Sequence, residues 1–489
     1  MTKAFNIRQV IKIIGSLLLI EAAFMLLTAL ISYCYHEDDI YALLSSAGIT
    51  GSIGLVGLGV SHGSKRHLGT REGYLIVGTV WIFCSIFGML PFLISGYIPS
   101  IADAFFETMS GFTTTGASIL NDIESLPHGL LFWRALSHWL GGLGIVVMSM
   151  AILPLFGAGM QVYQAEASGL QHDKLLPRIK DTSRRLIGIY VSLTAIQTLL
   201  LWAAGMGLFD SVCHAFSTMA TGGFSTKQAS LAHWSQPAIH YITIVFMFIA
   251  GINFSLLYGA MAKGQIRKLV SDDEFKTYAI TVACVTVGVL ASLLYFGGDI
   301  SWGSLEYDFR RSLFQVVSII TSTGFATDDY VQWSSVGIIM VIFLMFVGAC
   351  AGSTAGGLKI IRFNILLKNG IFEFRRAIHP KAVIPVRVNH HVIPDHIISS
   401  VFAFVTLYVL LILISTIVLL FCGMSLNEAF GASLSMISNI GPGLGENGPM
   451  GSFAMTSDFA KWYMSLLMLI GRLEIITILL LFSPSFWKK

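Results

Sequence analysis

Four short tracts in this 489-residue chain set hydroxyl side chains beside glycine: Thr113-Thr114-Thr115-Gly116-Ala117, Ala220-Thr221-Gly222-Gly223-Phe224, Thr321-Ser322-Thr323-Gly324-Phe325 and Ser438-Asn439-Ile440-Gly441-Pro442. The chemistry on offer is oxygen coordination, because backbone carbonyls and hydroxyls can replace the hydration shell of an alkali cation. Glycine takes positive φ without strain. A backbone that alternates left- and right-handed conformations turns successive carbonyls to one side, and four such strands around an axis would stack rings of oxygen. One Thr-Gly or Gly-Gly pair marks only a turn, but here the pattern recurs about every hundred residues, in the manner of a repeat architecture. Thr114, Thr115, Thr221, Ser322 and Thr323 add hydroxyls. In the second tract the register falls on Gly222 or Gly223, and matching Gly223-Phe224 to Gly324-Phe325 favours Gly223. Asn439 and Ile440, where the others carry Thr, Ser or Gly, make the fourth tract the divergent one.

Such tracts need elements that hold them in a membrane. The chain is 55% hydrophobic and 12% charged, against roughly 25% charged in soluble domains, and its mean hydropathy is +0.75. Apolar runs at 11–29, 74–93, 186–204, 278–294, 401–421 and 462–482 approach the roughly 20 residues that span a bilayer. The first follows Lys3, Arg8 and Lys12, yet Glu21 lies inside it and no small-residue cleavage site follows, so it reads as a retained helix. The expected fold is an all-α polytopic membrane protein. Two N-terminal helices, 8–34 and 38–61, precede four parallel repeats, each an outer spanning helix, a re-entrant half-helix ending at its glycine tract, and a second spanning helix, arranged around a pseudo-fourfold pore. The half-helices are placed at 101–112, 210–220, 309–321 and 426–437, too short to span. The second helices are placed at 130–157, 237–262, 334–367 and 459–483. The implied units are 1–65, 66–182, 183–272, 273–390 and 391–489. Asp103, Asp210 and Asn427 are expected to cap three half-helices, whose negative dipole ends then face the tracts and favour a cation. Asp308, followed by Arg310 and Arg311, departs from that pattern.

Charge is two-sided. Lys and Arg gather in alternate connections, among them Lys174, Arg178, Lys180, Arg184 and Arg185, and again Lys359, Arg362, Lys368, Arg375 and Arg376. The positive-inside rule places these loops and both termini in the cytoplasm. The four tracts lie on the other side, among acidic residues such as Asp103, Glu107, Asp210, Asp308, Asp328 and Glu428, which would concentrate cations. The six cysteines show no CxxC spacing and suit packing rather than metal binding. There is no Walker loop, no HExxH and no nucleophile motif, so an enzyme is not expected, and nothing points to nucleic acid.

One second helix is interrupted by Gly348-Ala349-Cys350-Ala351-Gly352-Ser353-Thr354-Ala355-Gly356-Gly357. Glycine costs roughly 1 kcal/mol against alanine in a helix, and a mid-membrane break survives only where it lines water or is buried in protein. The segment is expected to be a gate beneath the tracts, with Gly348, Gly352, Ser353, Thr354, Gly356 and Gly357 as its working residues. A small-residue face for close helix packing is the alternative. Aligning Phe246–Gly251, Leu344–Ala349 and Leu467–Arg472 sets Arg472 level with the start of that break. A charge there is costly and faces a partner or a cavity. We expect Arg472 to hold the loop through its carbonyls and to raise a positive barrier below the tracts. Glu474, two residues on, faces another way. Lys359 and Arg362 are expected to snorkel, and Arg134 and His138 to anchor at the interface.

The half-helices, the tracts, the two leading helices and the gapped helix together resemble the Trk/Ktr/HKT superfamily of potassium transporters, most nearly its bacterial TrkH-type membrane subunit, over essentially the whole chain. The resemblance implies a selectivity filter at Gly116, Gly223, Gly324 and Gly441, with potassium as the substrate bound there and no covalently bound cofactor. It implies potassium uptake across the bacterial inner membrane, a homodimer, surrounding membrane lipid, and a cytoplasmic nucleotide-binding regulatory protein of the TrkA type, docking on 158–186, 263–277 and 359–396. Those basic loops could equally meet anionic lipid headgroups. The rival class is a secondary cation- or proton-coupled solute symporter with broken helices. It would call for inverted halves, whereas these repeats share one orientation; no relay of carboxylates crosses the membrane to mark proton coupling.

Overall fold

The computed structural model describes residues 6–61, 70–151, 175–297, 302–382 and 384–487. Within these residues the chain is helical apart from one two-residue-per-strand hairpin, β1 (Arg387–Val388) with β2 (His391–Val392) antiparallel to it. Helices α1 (Ile7–Tyr35) and α2 (Ile40–Val60) form the leading pair. Asn6 starts α1 by accepting the Gln9 N–H at 3.3 Å, and His36 ends it at φ 57°. The pair packs backbone to backbone: a Cβ added at Gly15 would lie 2.9 Å from the Gly54 carbonyl oxygen, and one at Gly54 equally close to that of Gly15. Small residues allow this approach between membrane helices.

The first repeat comprises α3 (Thr70–Gly88), α4 (Leu90–Ser95), α5 (Ile101–Phe112) and α6 (His128–Ala151). The second runs through α7 (Leu175–Ala203), α8 (Leu208–Ala220), α9 (Pro237–Ala250), α10 (Phe254–Lys263) and α11 (Ile266–Ser271). In the third are α12 (Asp273–Gly297), α13 (Trp302–Ile320), α14 (Ser335–Val347) and α15 (Ile360–Ile378). The hairpin leads into the fourth, with α16 (Asp395–Phe421), α17 (Leu426–Ser438), α18 (Asp458–Arg472), α19 (Ile475–Phe482) and α20 (Pro484–Trp487). Among the described residues six segments are long and apolar enough to cross a membrane unbroken: α1, α2, α3 with α4, α7 from Ser183, α12 and α16. They are the leading pair and the outer helix of every repeat, so the protein is a multi-pass membrane protein. The half-helices are α5, α8, α13 and α17, with buried residues along nearly all of α5 and the C-terminal two-thirds of α17.

Several sequence expectations are corrected here. The helix starts are not capped by Asp103, Asp210 and Asn427. Ser100 accepts the Asp103 N–H at 3.4 Å, Gly207 precedes α8, and Ser425 forms a capping box with Glu428. The Ser-x-x-Asp and Ser-x-x-Glu spacings carry that signal, and the acidic groups occupy the first turn instead. α13 is a 19-residue helix beginning at Trp302, with Asp308, Arg310 and Arg311 inside it. The break is not confined to the third repeat: α9 and α10 bend by 107°, and α18 and α19 by 116°. Asn253 causes the first bend, its side chain accepting the Ser255 N–H at 2.8 Å and the Leu256 N–H at 3.4 Å, which restarts the helix. In the second, Glu474 stands at φ 58°. The boundary drawn at 182/183 falls inside α7, and that at 390/391 inside the hairpin. Lys3, the end of the second helix placed at 130–157 from residue 152 on, and the 158–174 part of the loop 158–186 lie outside the described residues.

Candidate functional site

The four tracts share one backbone. Two residues before each glycine, Thr114, Thr221, Ser322 and Asn439 stand at φ 51°, 55°, 53° and 53°. The glycines themselves, Gly116, Gly223, Gly324 and Gly441, stand at φ 80°, 86°, 76° and 98°. Between them Thr115, Gly222, Thr323 and Ile440 lie outside the left-handed region. The handedness therefore alternates, and in the second tract Gly223, not Gly222, is the equivalent of the other three glycines. A non-glycine residue in the left-handed region costs roughly 1–2 kcal/mol, and for β-branched threonine it is an outlier. Four such residues at one register position mark a conformation held by its surroundings.

What holds it is a bond that recurs four times. The N–H of Thr115, Gly222, Thr323 and Ile440 donates to the carbonyl of Ser110, Ser217, Ser318 and Ser435, at 2.9, 2.8, 2.8 and 3.1 Å. All four acceptors are serines six residues before the tract glycine. Sequence reasoning missed them, although the constant offset was open to inspection. The Ser318 hydroxyl donates to the Phe325 carbonyl at 2.6 Å and that of Ser435 to the Gly441 carbonyl at 2.8 Å. Hydroxyl pairs Thr113–Thr115 and Thr321–Thr323, each 2.8 Å apart, brace two tracts from within.

The tracts close into a ring. A Cβ added at Gly116 would overlap the carbonyl oxygen of Gly222, one at Gly223 that of Thr323, and one at Gly324 that of Ile440. One added at Gly441 would come 2.6 Å from the carbonyl oxygen of Thr115. Each glycine thus faces the next repeat's carbonyl, in the cyclic order one, two, three, four, one. Glycine is required here by close approach as well as by positive φ. The half-helices α5, α8, α13 and α17 all end at this ring, so their negative dipole ends gather on it.

Arg134 and His138, expected at the interface, are instead buried behind the tracts. Arg134 is 3% exposed. It pairs with Glu107 at 2.6 Å, donates to the Ser225 carbonyl at 2.8 Å and stacks 3.6 Å above the Phe224 ring centroid. Glu107 also accepts from the Ser118 hydroxyl and the Ile119 N–H, both at 3.0 Å. His138 stacks on Phe224 and meets the Ser217 hydroxyl at 3.1 Å. The two residues weld the first tract to the second. Their position near a helix start suggested the interface; the buried carboxylate that receives Arg134 was not legible.

The interrupted segment 348–357 lies against the third and fourth tracts. Gly348, Gly352 and Gly357 have φ of 62°, 70° and 71°. Gly356 donates its N–H to the Ser322 hydroxyl at 2.6 Å and leaves no room for a Cβ against the Ser438 carbonyl. Thr354 donates to the Met219 carbonyl at 3.1 Å. The Ser353 hydroxyl turns back to the Cys350 carbonyl at 2.6 Å. Cys350 and Ala351 are tied by their N–H groups to the Gly251 carbonyl at 3.1 Å and to the Glu274 carboxylate at 2.6 Å. Contacts thus run from one loop to repeats two, three and four. Arg472, 6% exposed, donates to the Thr354 carbonyl at 2.8 Å. Its Nε and Nη2 have no hydrogen-bond partner among the described residues. Arg362 is not snorkelling: it is buried and pairs with Glu474 at 2.7 Å, fastening the helix after the loop to the break in repeat four. Lys359 donates to the Ala355 carbonyl.

Residues 50–489 match the sequence model of TrkH, described as a cation transport protein. The Trk system potassium uptake protein TrkH of Salmonella typhimurium is 37% identical over 492 residues, covering 99% of this chain and all of that protein. The protein of the same name from Vibrio parahaemolyticus is 38% identical over 488 residues, covering 99% of both chains. The crystal structure of the potassium transporter TrkH from Vibrio parahaemolyticus superposes with a TM-score of 0.91 at 35% identity, over 99% of this chain and 100% of that one. With a full-length match in sequence and in fold, the chain belongs to the TrkH family of cation transport proteins, membrane transporters and not enzymes.

Proposed function

We propose that this protein is the membrane subunit of a bacterial potassium-uptake system, and that its four tracts form one selectivity filter. The cyclic packing of four glycines against four neighbouring carbonyls carries this reading, because it sets the carbonyls of Thr115, Gly222, Thr323 and Ile440 each against a neighbouring repeat's glycine in one closed cycle. A potassium ion enters from the acidic side in the inner membrane, exchanges water for carbonyl oxygen at that ring, and meets the closed loop 348–357 below. Arg472 keeps the loop in place through Thr354 and adds positive charge under the ring. The names of the relatives, all potassium uptake proteins, support potassium as the ion. Both termini and the basic connections face the cytoplasm, where a nucleotide-binding protein would act on the loop and a second copy of the chain would complete a homodimer.

The test is flux in liposomes holding the purified chain. Saturable rubidium entry with sodium excluded, limited by the closed loop in the absence of a partner, is the expected result. Slow uptake of an organic solute with no rubidium flux would overturn the proposal.

A further inference from the structure

The ring has one junction unlike the other three. Repeats one, two and three each meet the next repeat in sequence, but repeat four must meet repeat one across the two ends of the pore-forming chain. The packing there is the most open: the missing Cβ of Gly441 stops 2.6 Å from the Thr115 carbonyl, while those of Gly116, Gly223 and Gly324 would overlap their neighbours more deeply. It is also where the tract sequence departs from Ser or Thr, at Asn439.

Asn439 is fully buried. Its Nδ2 donates to the Thr115 hydroxyl at 2.9 Å and to the Met468 carbonyl at 2.9 Å. The Met468 carbonyl only accepts, so the amide nitrogen is the group that faces it. Thr115 belongs to the first tract, and Met468 to α18, one turn before Arg472. No equivalent residue bridges neighbouring tracts. The Thr114 hydroxyl has no partner among the described residues, that of Thr221 turns back to the Ala220 carbonyl at 2.6 Å, and that of Ser322 receives the Gly356 N–H of the loop. A serine or threonine at 439 would be too short to reach both acceptors. The carboxamide spans a gap that backbone packing leaves, and it does so beside the loop: a Cβ at Gly356 would lie 2.9 Å from the Asn439 Cβ.

We infer that Asn439 is a specificity-determining residue, a strut that fixes the separation of the fourth and first tracts and with it the size of the carbonyl ring. The inference rests on the filter proposed above. Whether a carbonyl ring selects by cavity size or by the field of its dipoles, both depend on this seam being held.

The experiment is the rubidium-to-sodium flux ratio of the full chain in liposomes. Variants are Asn439→Ser, which copies the third tract, Asn439→Gly, which keeps the left-handed backbone unstrained, Thr115→Val, and the double variant Asn439→Ser with Thr115→Val. Each single variant lowers the ratio by about five- to tenfold, the scale of one or two lost hydrogen bonds, through faster sodium entry. The double variant loses less than the sum of the two single ones, since both remove the Asn439–Thr115 bond while each also removes one of its own, to the Met468 carbonyl or the Thr113 hydroxyl. Gly324→Ala serves as the filter control. If the Asn439 variants elute as folded protein with the original ratio while Gly324→Ala loses it, the strut is overturned and the filter stands. Fully additive losses in the double variant, with no share in common, also overturn it. If Gly324→Ala keeps the ratio as well, the filter itself fails.

Discussion

At the scale of single residues, the site is a set of backbone positions held by buried polar partners. Among the described residues Arg472 makes one hydrogen bond, to the Thr354 carbonyl, and its buried Nε and Nη2 have no partner there. Such a group is expensive to bury, and the proposed gate gives that expense a purpose. Arg472→Ala is therefore expected to release the loop and raise rubidium flux in the absence of any partner protein by about an order of magnitude, the scale of one charge-assisted hydrogen bond. Unchanged flux and unchanged regulation in liposomes would remove Arg472 from the gate. Arg134→Ala tests the scaffold instead. It leaves Glu107 buried without its cation, a loss on the order of 3–5 kcal/mol, to be read as a marked fall in the thermal unfolding midpoint; a midpoint within experimental error of the parent would contradict the pairing. Much of this scale was legible. Glycine identity, hydroxyl neighbours and the arginine in an apolar helix all follow from residue type. The Arg134–Glu107 pair was not, because the carboxylate lies 27 residues back in the chain. The left-handed threonines were open only through the serine six residues before each tract glycine, a local signal that residue type alone does not announce.

Among the elements, the half-helices are the rigid parts and the broken second helices the adjustable ones. Three of these helices break at a common level, after Ala250, Val347 and Arg472, and only the third break was anticipated, from its glycines. Asn253, an N-cap inside an apolar run, was the overlooked signal in repeat two. In repeat four no cap or glycine cluster announces the break; Glu474 takes positive φ and bonds Arg362 from another repeat, so tertiary contact decides it. Asn253→Ala should cost about 1 kcal/mol of cap energy and let α9 and α10 straighten toward one helix. Since the Phe254 N–H donates to the Gly352 carbonyl at 3.1 Å, straightening pulls on the loop. Thiol labelling of Cys350, buried in that loop, should then speed up severalfold; a labelling rate equal to the parent's would uncouple the bend from the loop.

For the whole molecule, the fourfold plan and its asymmetry divide the work. Among the described residues six unbroken spans accompany a centre in which four chemically similar tracts meet. The plan was legible from the recurrence of one tract and from charge sidedness, because a repeat must bury its polar segment against its neighbours. The asymmetry was less so, since it lies in which neighbour each side chain reaches: Ser322 the loop, Asn439 the first tract, Arg472 the Thr354 carbonyl. The central claim is that one ion sits among all four tracts, and a crystal of the protein grown with rubidium and measured at its absorption edge tests it most directly. The account predicts an anomalous peak on the pseudo-fourfold axis, ringed by the carbonyls of Thr115, Gly222, Thr323 and Ile440. A protein that transports rubidium but shows its peak away from that ring, with none among the four tracts, would contradict it.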